Sequence, residues 1–147
     1  MSRGDGVATY DSPMATILAH IMVRAGGEER FEAVARDLYS RTHEHESGVR
    51  RYEYWRGAEP RTYYTLLSFD DHRAFIAHQT SPHHEDSSPA LGELIEGMRL
   101  EWVDPITGAG ELPATDGQDA PSDADELTRR YSERFAADVA EWWRKLR

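Results

Sequence analysis

Apolar and polar positions alternate along some segments of the chain and recur with a helical period along others. Alternation of β-branched and aromatic residues predicts strands at residues 15–24, 49–55, 62–69 and 99–103. Apolar residues at spacings of three and four predict helices with one buried stripe around residues 31–39, 72–79 and 91–98. The last two helices both fall between the third and fourth strands.

The predicted elements follow the order strand, helix, strand, strand, helical region, strand. This is the split βαβ arrangement of the ferredoxin-like fold. We therefore predict an α+β domain over residues 15–106, in which an antiparallel sheet carries its helices on one face.

The predicted strands carry bulky apolar residues on both of their faces. The second strand places Trp55 on one side and Tyr52 and Tyr54 on the other, and the third strand places Leu66 opposite Leu67. Antiparallel strands that are apolar on both sides indicate a sheet that is covered on both sides. We predict that a second copy of the chain covers the face without helices, which gives a homodimer built as an α/β barrel.

Composition divides the rest of the chain into three segments. Residues 1–14 are polar, with Gly and Pro, and predict a flexible arm, whereas residues 107–122 have the composition of a linker. Residues 123–147 predict one amphipathic helix, because apolar residues recur every three to four positions between Leu127 and Leu146. We expect this helix to dock on the barrel, on its own chain or on the partner, and to border a pocket mouth.

The charge and composition of the chain argue against several kinds of partner. Acidic residues outnumber basic ones by 27 to 17, for a net charge of −10, whereas phosphate neutralisation requires clustered Lys and Arg. The chain contains no cysteine, which excludes disulfides, thiolate metal ligands and thiol nucleophiles. No apolar segment approaches membrane-spanning length, and the start of the chain lacks a secretory leader. We expect a cytoplasmic protein that binds neither nucleic acid nor membranes.

Several short motifs share their order and spacing with a known family. They are the helix entry Gly26-x-x-x-x-Phe31, the turn Glu46-x-Gly48, the strand Tyr52-Glu53-x-Trp55, and Phe69-x-Asp71-x-x-Ala74-Phe75-x-x-His78 followed by Ser81-Pro82-His83. On these motifs, residues 15–106 resemble the antibiotic biosynthesis monooxygenase family of dimeric α/β-barrel proteins. The arm, the linker and the C-terminal helix lie outside the resemblance.

The resemblance implies a flat aromatic or quinol-like ligand bound between the sheet and the helices of each subunit. For many members it also implies oxygenation of that ligand by O2 with neither metal nor flavin. Phe69 departs from the family pattern, because members of this type often carry Trp at that position and the haem-degrading branch uses the Trp to distort the macrocycle. The departure argues against haem degradation.

A protein that oxygenates a phenol without a cofactor needs an aromatic slot and a base. Triplet O2 reacts slowly with closed-shell molecules, whereas a deprotonated phenol readily gives up one electron. His78 is the leading base, because it lies at the margin of its helix's apolar stripe and imidazole suits proton abstraction near neutral pH. His20 is the second candidate base, and Arg24, Arg51 or Arg99 could hold the resulting oxyanion. We predict as substrate-binding residues Tyr52, Tyr54, Tyr64, Phe69, Phe75, His83, Arg99 and Trp102.

Two histidine pairs raise the question of a metal ion. His43 and His45 diverge if their segment is helical, and the adjacent residues His83 and His84 are poorly placed to share one ion. We therefore predict neither a metal site nor a cofactor.

The same residues also have structural interpretations, and the function stays open at this stage. His78 could simply hydrogen-bond a backbone carbonyl, His20 could be a wall residue, and Glu46 is interpreted as a structural residue that accepts backbone N–H groups at the Gly48 turn. The leading hypothesis is a cofactor-independent monooxygenase that oxidises a phenolic, quinol or polyketide-type aromatic metabolite. The alternatives are an isomerase of a small oxygenated metabolite and a non-catalytic ligand-binding protein.

Overall fold

The computed structural model describes residues 14–108, 113–139 and 141–144. Its strands are β1 (Ala15–Val23), β2 (Val49–Arg56), β3 (Thr62–Phe69) and β4 (Ile95–Trp102). Its helices are α1 (Glu28–His45), α2 (His72–Gln79), α3 (Pro82–Leu94), α4 (Glu126–Arg134) and the short α5 (Glu141–Arg144). The predicted N-terminal arm, apart from Met14, lies outside the described residues.

The four strands form one antiparallel sheet with the order β2-β3-β1-β4. The inner strand β1 buries Ile17, Ala19 and Ile21 on the face that the helices cover, as its period-2 pattern predicts. Phe31 and Leu38 of α1 and other buried side chains complete the core on this face. The α+β, ferredoxin-like fold predicted from the sequence is thereby confirmed.

The region before β4 differs from the prediction. The period over residues 91–98 predicted a helix, but Ile95 and Met98 belong to β4, where they pair with Val23 and Ile21 of β1. The helix before this strand begins earlier, at Pro82, where the Ser81 side chain accepts the backbone N–H of His84 and caps the first turn. The apparent helical period was the coincidence of a helix end with a strand start.

The C-terminal segment also differs from the prediction of one helix over residues 123–147. Asp125 caps α4 by accepting the backbone N–H of Thr128, but the helix ends at Arg134 and Phe135 is its C-cap. A second short helix, α5, follows after an irregular stretch. The side chains of Trp142 and Trp143, which belong to the predicted apolar stripe, lie outside the described residues.

Part of the predicted linker packs on the domain. Thr115 is completely buried and forms a parallel bridge with Met14. Its hydroxyl accepts the backbone N–H of Thr16 at 3.1 Å and donates to the Val103 carbonyl at 2.8 Å. The described part of the segment has largely irregular backbone, and these hydrogen bonds attach it to β1.

Candidate functional site

A cavity of about 490 Å³ lies between the helix-covered face of the sheet and helices α2, α3 and α4. Its floor is formed by apolar residues of β1 and β4, and aromatic side chains of β2 and α2 form one wall. The polar and aromatic side chains that line it include Tyr52, Tyr54, Phe75, His78, His84 and Arg134. A volume of this size suits a small polycyclic ligand.

His78 is a buried imidazole in the aromatic wall of the cavity, with 1% of its surface exposed. Its ring lies between those of Tyr52 and Phe69, at centroid distances of 5.0 and 5.3 Å. Nδ1 donates a hydrogen bond of 2.8 Å to Oε2 of Glu46. Because a carboxylate can only accept, this bond fixes the tautomer, and Nε2 is the ring nitrogen left to take a proton from a ligand.

Glu46 follows the end of α1 and joins two histidines. The same oxygen, Oε2, also accepts a hydrogen bond of 2.5 Å from Nε2 of His83. Burial alone would raise the pKa of Glu46, but the hydrogen bonds from the two imidazoles and their electrostatic attraction outweigh burial and hold the pKa below its usual value. The interpretation of Glu46 as an acceptor for turn N–H groups is therefore corrected, because its side-chain partners are His78 and His83.

The close approach of two backbone segments brings Glu46 to His78. A Cβ added at Gly48 would lie 2.8 Å from the Cβ of Ala74 in α2, so the turn after α1 can approach α2 only with glycine at this position. The Gly48 carbonyl accepts the N–H of Asp70, and the Asp71 side chain caps α2 through the N–H of Ala74. Gly48 thus sets the distance between the carboxylate and the imidazole.

His84 is a second imidazole of the cavity, and the sequence analysis did not assign it to the ligand site. Its ring centroid lies 5.0 Å from that of His78, and within the described structure its buried Nδ1 has no hydrogen-bond partner. Burial, together with the neighbouring His78, lowers the pKa of His84 to about 4. His84 is therefore neutral near pH 7, and its Nδ1 is a buried polar atom without a partner beside the cavity.

Tyr52 and Tyr54 place two hydroxyl groups in the same wall. The hydroxyls are joined by a hydrogen bond of 2.8 Å. Burial raises the pKa of Tyr54 to about 12, and it raises the pKa of Tyr52 well above its usual value. Both hydroxyls therefore stay protonated, and because one of them donates to the other, one hydroxyl hydrogen is left to donate to a ligand oxygen.

The structure separates the predicted substrate-binding residues into groups. Tyr52, Tyr54 and Phe75 line the cavity with His78. Phe69 is fully buried behind Phe75, and Trp102 packs edge-on against Phe75, so these two support the cavity without lining it. His83 does not line the cavity. It hydrogen-bonds Glu46 and so supports the carboxylate that holds His78.

His20, Tyr64 and Arg99 lie on the opposite face of the sheet from His78. His20 pairs with Tyr64 on β3 and with Arg99 on β4, and paired residues of adjacent strands share a face. His20 forms a 3.0 Å hydrogen bond with Glu101. Successive side chains of a strand point to opposite faces, so His20 points away from the covered face that carries Ile21. The structure therefore does not bring these three residues into the cavity.

The histidine pairs considered for metal binding do not converge in the described structure. His83 faces Glu46, whereas His84 lines the cavity. A different set, Glu46, His78 and His83, has one potential ligand atom from each residue within 4.8 Å of the others. Both imidazoles already donate to Glu46, so a cation would have to displace the two hydrogen bonds.

We expect the lowered pKa of His84 to make stability dependent on pH. The folded-state pKa of about 4 lies below the usual 6.5, so the unfolded chain binds more protons between these values. The contribution of His84 is fully present above about pH 6.5 and is lost as the pH falls through about 4, by up to about 3 kcal/mol.

Urea denaturation over this pH range tests the expectation, with wild type compared with His84→Gln. The slope of the free energy of unfolding against pH should be smaller in the variant, by up to the equivalent of one bound proton. The other titrating groups are common to both chains and cancel in the comparison. An identical pH dependence in the two proteins would show that His84 is not buried as a neutral ring.

The fold and the aromatic cavity define a class of small α+β domains, and sequence comparison identifies the family. The profile of the antibiotic biosynthesis monooxygenase family matches residues 14–89, which is more than half of the chain. The chain belongs to this family, and the resemblance derived from its motifs is confirmed. A search of curated protein sequences gives no match.

Solved structures of bacterial proteins share the fold. The protein PA3566 from Pseudomonas aeruginosa is 21% identical, with a TM-score of 0.60 over 65% of this chain and 97% of that one. The protein Rv0793 from Mycobacterium tuberculosis is 20% identical, with a TM-score of 0.60 over 66% and 99%. A Caulobacter crescentus protein described as a candidate antibiotic biosynthesis monooxygenase is 21% identical, with a TM-score of 0.61 over 71% and 99%.

The family match ends at residue 89, before β4 and the C-terminal segment. Among the described residues, no helix combines the length and the apolar character needed to cross a bilayer.

Proposed function

We propose that the protein is a cofactor-independent monooxygenase that oxidises a phenolic, quinol or polyketide-type aromatic metabolite with O2. The observation that carries the proposal is the His78–Glu46 pair, a buried imidazole oriented by a carboxylate in the wall of an aromatic cavity. A phenol bound in this cavity would meet a base whose free nitrogen is fixed by its other hydrogen bond. Membership of the monooxygenase family supports the same reaction class.

The reaction begins with transfer of the phenolic proton to Nε2 of His78. The phenolate then donates one electron to O2, and the resulting radical and superoxide combine to form a carbon–oxygen bond. Loss of water from the peroxide leaves a quinone, so that one oxygen atom enters the product and the other leaves as water. The balance requires only the phenol and O2, with no external reductant.

The other polar groups of the cavity suit the binding of such a ligand. The Tyr52–Tyr54 pair has one hydroxyl hydrogen left to donate, and the unpartnered Nδ1 of His84 can accept a hydrogen bond from a hydroxyl group or, as its N–H tautomer, donate one to an oxygen atom. A buried polar atom without a partner costs about 1–3 kcal/mol, and a bound hydroxyl or carbonyl group would remove that cost. Aromatic contacts with Phe75 add about 0.5–1.5 kcal/mol beyond burial.

Oxygen uptake tests the proposal with purified protein dialysed against EDTA and supplied with a panel of naphthols and hydroquinones. We expect protein-dependent oxygen consumption that survives the chelator. Solvent-deuterium incorporation without oxygen uptake would instead identify an isomerase that uses the same His78–Glu46 pair. Tight binding with no turnover would identify a binding protein.

We also propose that the helix-free face of the sheet is the interface of a homodimer. Apolar and aromatic side chains alternate there with charged ones, and they include Leu18, Leu66, Tyr64 and Trp55, of which Tyr64 is 38% and Trp55 59% exposed. Large exposed side chains clustered on one face mark an interaction surface. A two-fold dimer would pack this face against the same face of its copy.

Analytical ultracentrifugation should give a mass of about twice 16.8 kDa at micromolar concentration, because an obligate interface of about 2,000 Å² or more does not dissociate readily. Leu66→Arg on the outer face should produce monomers. Tyr39→Arg, at an exposed position of α1, is the matched control and should leave the dimer intact. A stable wild-type monomer would contradict the barrel.

A further inference from the structure

The C-terminal segment supplies the cavity with a charge that the family domain does not provide. Among the described residues that line the cavity, Arg134 is the one permanently charged side chain, and no Asp or Glu is present. Arg134 ends α4, in a segment that lies beyond the family match at residues 14–89. Neither Arg24, Arg51 nor Arg99, the cations considered from the sequence, lines this cavity.

Three sets of contacts hold α4 over the cavity. The buried His72 accepts the backbone N–H of Gln118 at Nδ1 and donates from Nε2 to the carbonyl of Phe135, at 2.9 and 3.0 Å. The Phe135 ring packs edge-on against Phe75, with centroids 5.9 Å apart. The Tyr131 hydroxyl donates to Glu85 of α3 at 2.8 Å. Arg134 therefore projects from a segment that is fixed at both of its neighbouring turns.

The charge of Arg134 is not neutralised by an acid in the described structure. No ion pair joins it to a described carboxylate, and its guanidinium carbon lies 5.2 Å from the centroid of the Phe135 ring. Arg134 therefore keeps its donors available at a cavity whose other walls are apolar or neutral.

We propose that the ligand of this cavity is an aromatic acid whose carboxylate is bound by Arg134, while its ring enters between the sheet and α2. A guanidinium matches a carboxylate with two parallel hydrogen bonds. The exposed position of Arg134 at the end of α4 lets the carboxylate keep part of its hydration, and the apolar interior accepts the ring without burying a charge. The placement of a phenolic hydroxyl near His78 rests on the proposed function, whereas the carboxylate contact does not.

The test compares the binding of two stable probes, 6-hydroxy-2-naphthoate and its methyl ester, which differ in a single negative charge. Calorimetry at low ionic strength should show that wild type binds the acid about 10-fold or more tightly than the ester, because a hydrogen bond to a charged group contributes about 1.5–3 kcal/mol. Arg134→Gln should abolish this preference by weakening the acid alone. Arg130→Gln is the matched control, since Arg130 lies on the same helix but does not line the cavity.

Equal affinity of wild type for the two probes, or no binding of either, would overturn the proposal. An equal loss of affinity for both probes in Arg134→Gln would also overturn the proposal, because that result would assign the residue a purely structural role. Binding is measured without turnover, so an Arg134-dependent preference without oxygen uptake would refute the monooxygenase proposal and leave this one standing. Oxidation of neutral phenols with no preference for the acid would support the monooxygenase proposal and overturn the proposed carboxylate contact with Arg134.

Discussion

His78→Ala is expected to lower turnover by about 10²–10⁴-fold, the usual loss when a general base is removed. The substitution deletes the nitrogen that would receive the phenolic proton and leaves the Glu46 carboxylate without one of its two partners. Ligand binding should change much less, because Tyr52, Tyr54 and Phe75 still form the wall. Steady-state kinetics with the best substrate of the oxygen-uptake panel, together with calorimetric binding, measure the two effects separately.

His20→Ala is the matched control for this experiment. His20 is also an imidazole on a core element, but it lies on the outer face of the sheet with Glu101. We expect its removal to leave turnover within a few-fold of wild type. If both variants kept full activity, the proton would have to leave through another group and the role of His78 would be wrong.

Truncation after Ile106 should cause the largest loss of stability. The truncated chain lacks Phe135 and Tyr131, which pack against the core, and it lacks the Thr115 hydrogen bonds to β1. Burying a large side chain stabilises by about 1.5–3 kcal/mol, and both rings are only partly buried, so we expect a total loss of about 3 kcal/mol and a fall in Tm of about 10 °C. Differential scanning calorimetry measures the shift.

The point variant His72→Phe tests the attachment of the C-terminal segment without removing the segment itself. It keeps a ring beside Phe75 but removes both hydrogen bonds to the C-terminal segment, so a smaller fall in Tm should accompany weaker ligand binding. Aggregation of the truncated protein would follow from the uncovered apolar surface. A truncated protein as stable and soluble as wild type would mean that the C-terminal helix serves an outside partner.

The sheet could be predicted because the pattern of each strand can be read from its own short stretch of sequence. Each strand alternates over enough residues to define two faces, and the observed register pairs Ile17 with Leu67 on the covered face and Leu18 with Leu66 on the other. The start of β4 was not predictable in this way. A helix that ends at Leu94 and a strand that begins at Ile95 produce apolar spacings that mimic one continuous helix.

The candidate site was predictable only in part, because much of it depends on contacts between distant residues. His78 could be chosen from its place on the α2 stripe. Its partner Glu46 lies 32 residues away, and the approach depends on the small space between Gly48 and Ala74. His84 was missed because neighbouring residues on a helix point about 100° apart, so His83 and His84 face different surroundings. The Gly48 contact was the signal that could have located Glu46.

Arg134 was missed for a different reason. The amphipathic pattern of the C-terminal segment shows that it must be buried, but the pattern does not specify the surface that buries it. The attachment depends on the buried His72, whose two ring nitrogens bind the backbone at Gln118 and Phe135. Only the folded chain shows that this attachment turns the end of α4 toward the cavity.

We propose that the chain itself, with no bound redox group, inserts one atom of O2 into an aromatic ligand beside His78. The most direct measurement is a single turnover of a polycyclic hydroquinone under ¹⁸O2 with chelator-treated protein, followed by mass spectrometry of the product. We predict one ¹⁸O atom in the product, the second in water, and loss of the label in His78→Ala. A product that carries no ¹⁸O, or that forms equally well without O2, would contradict the claim.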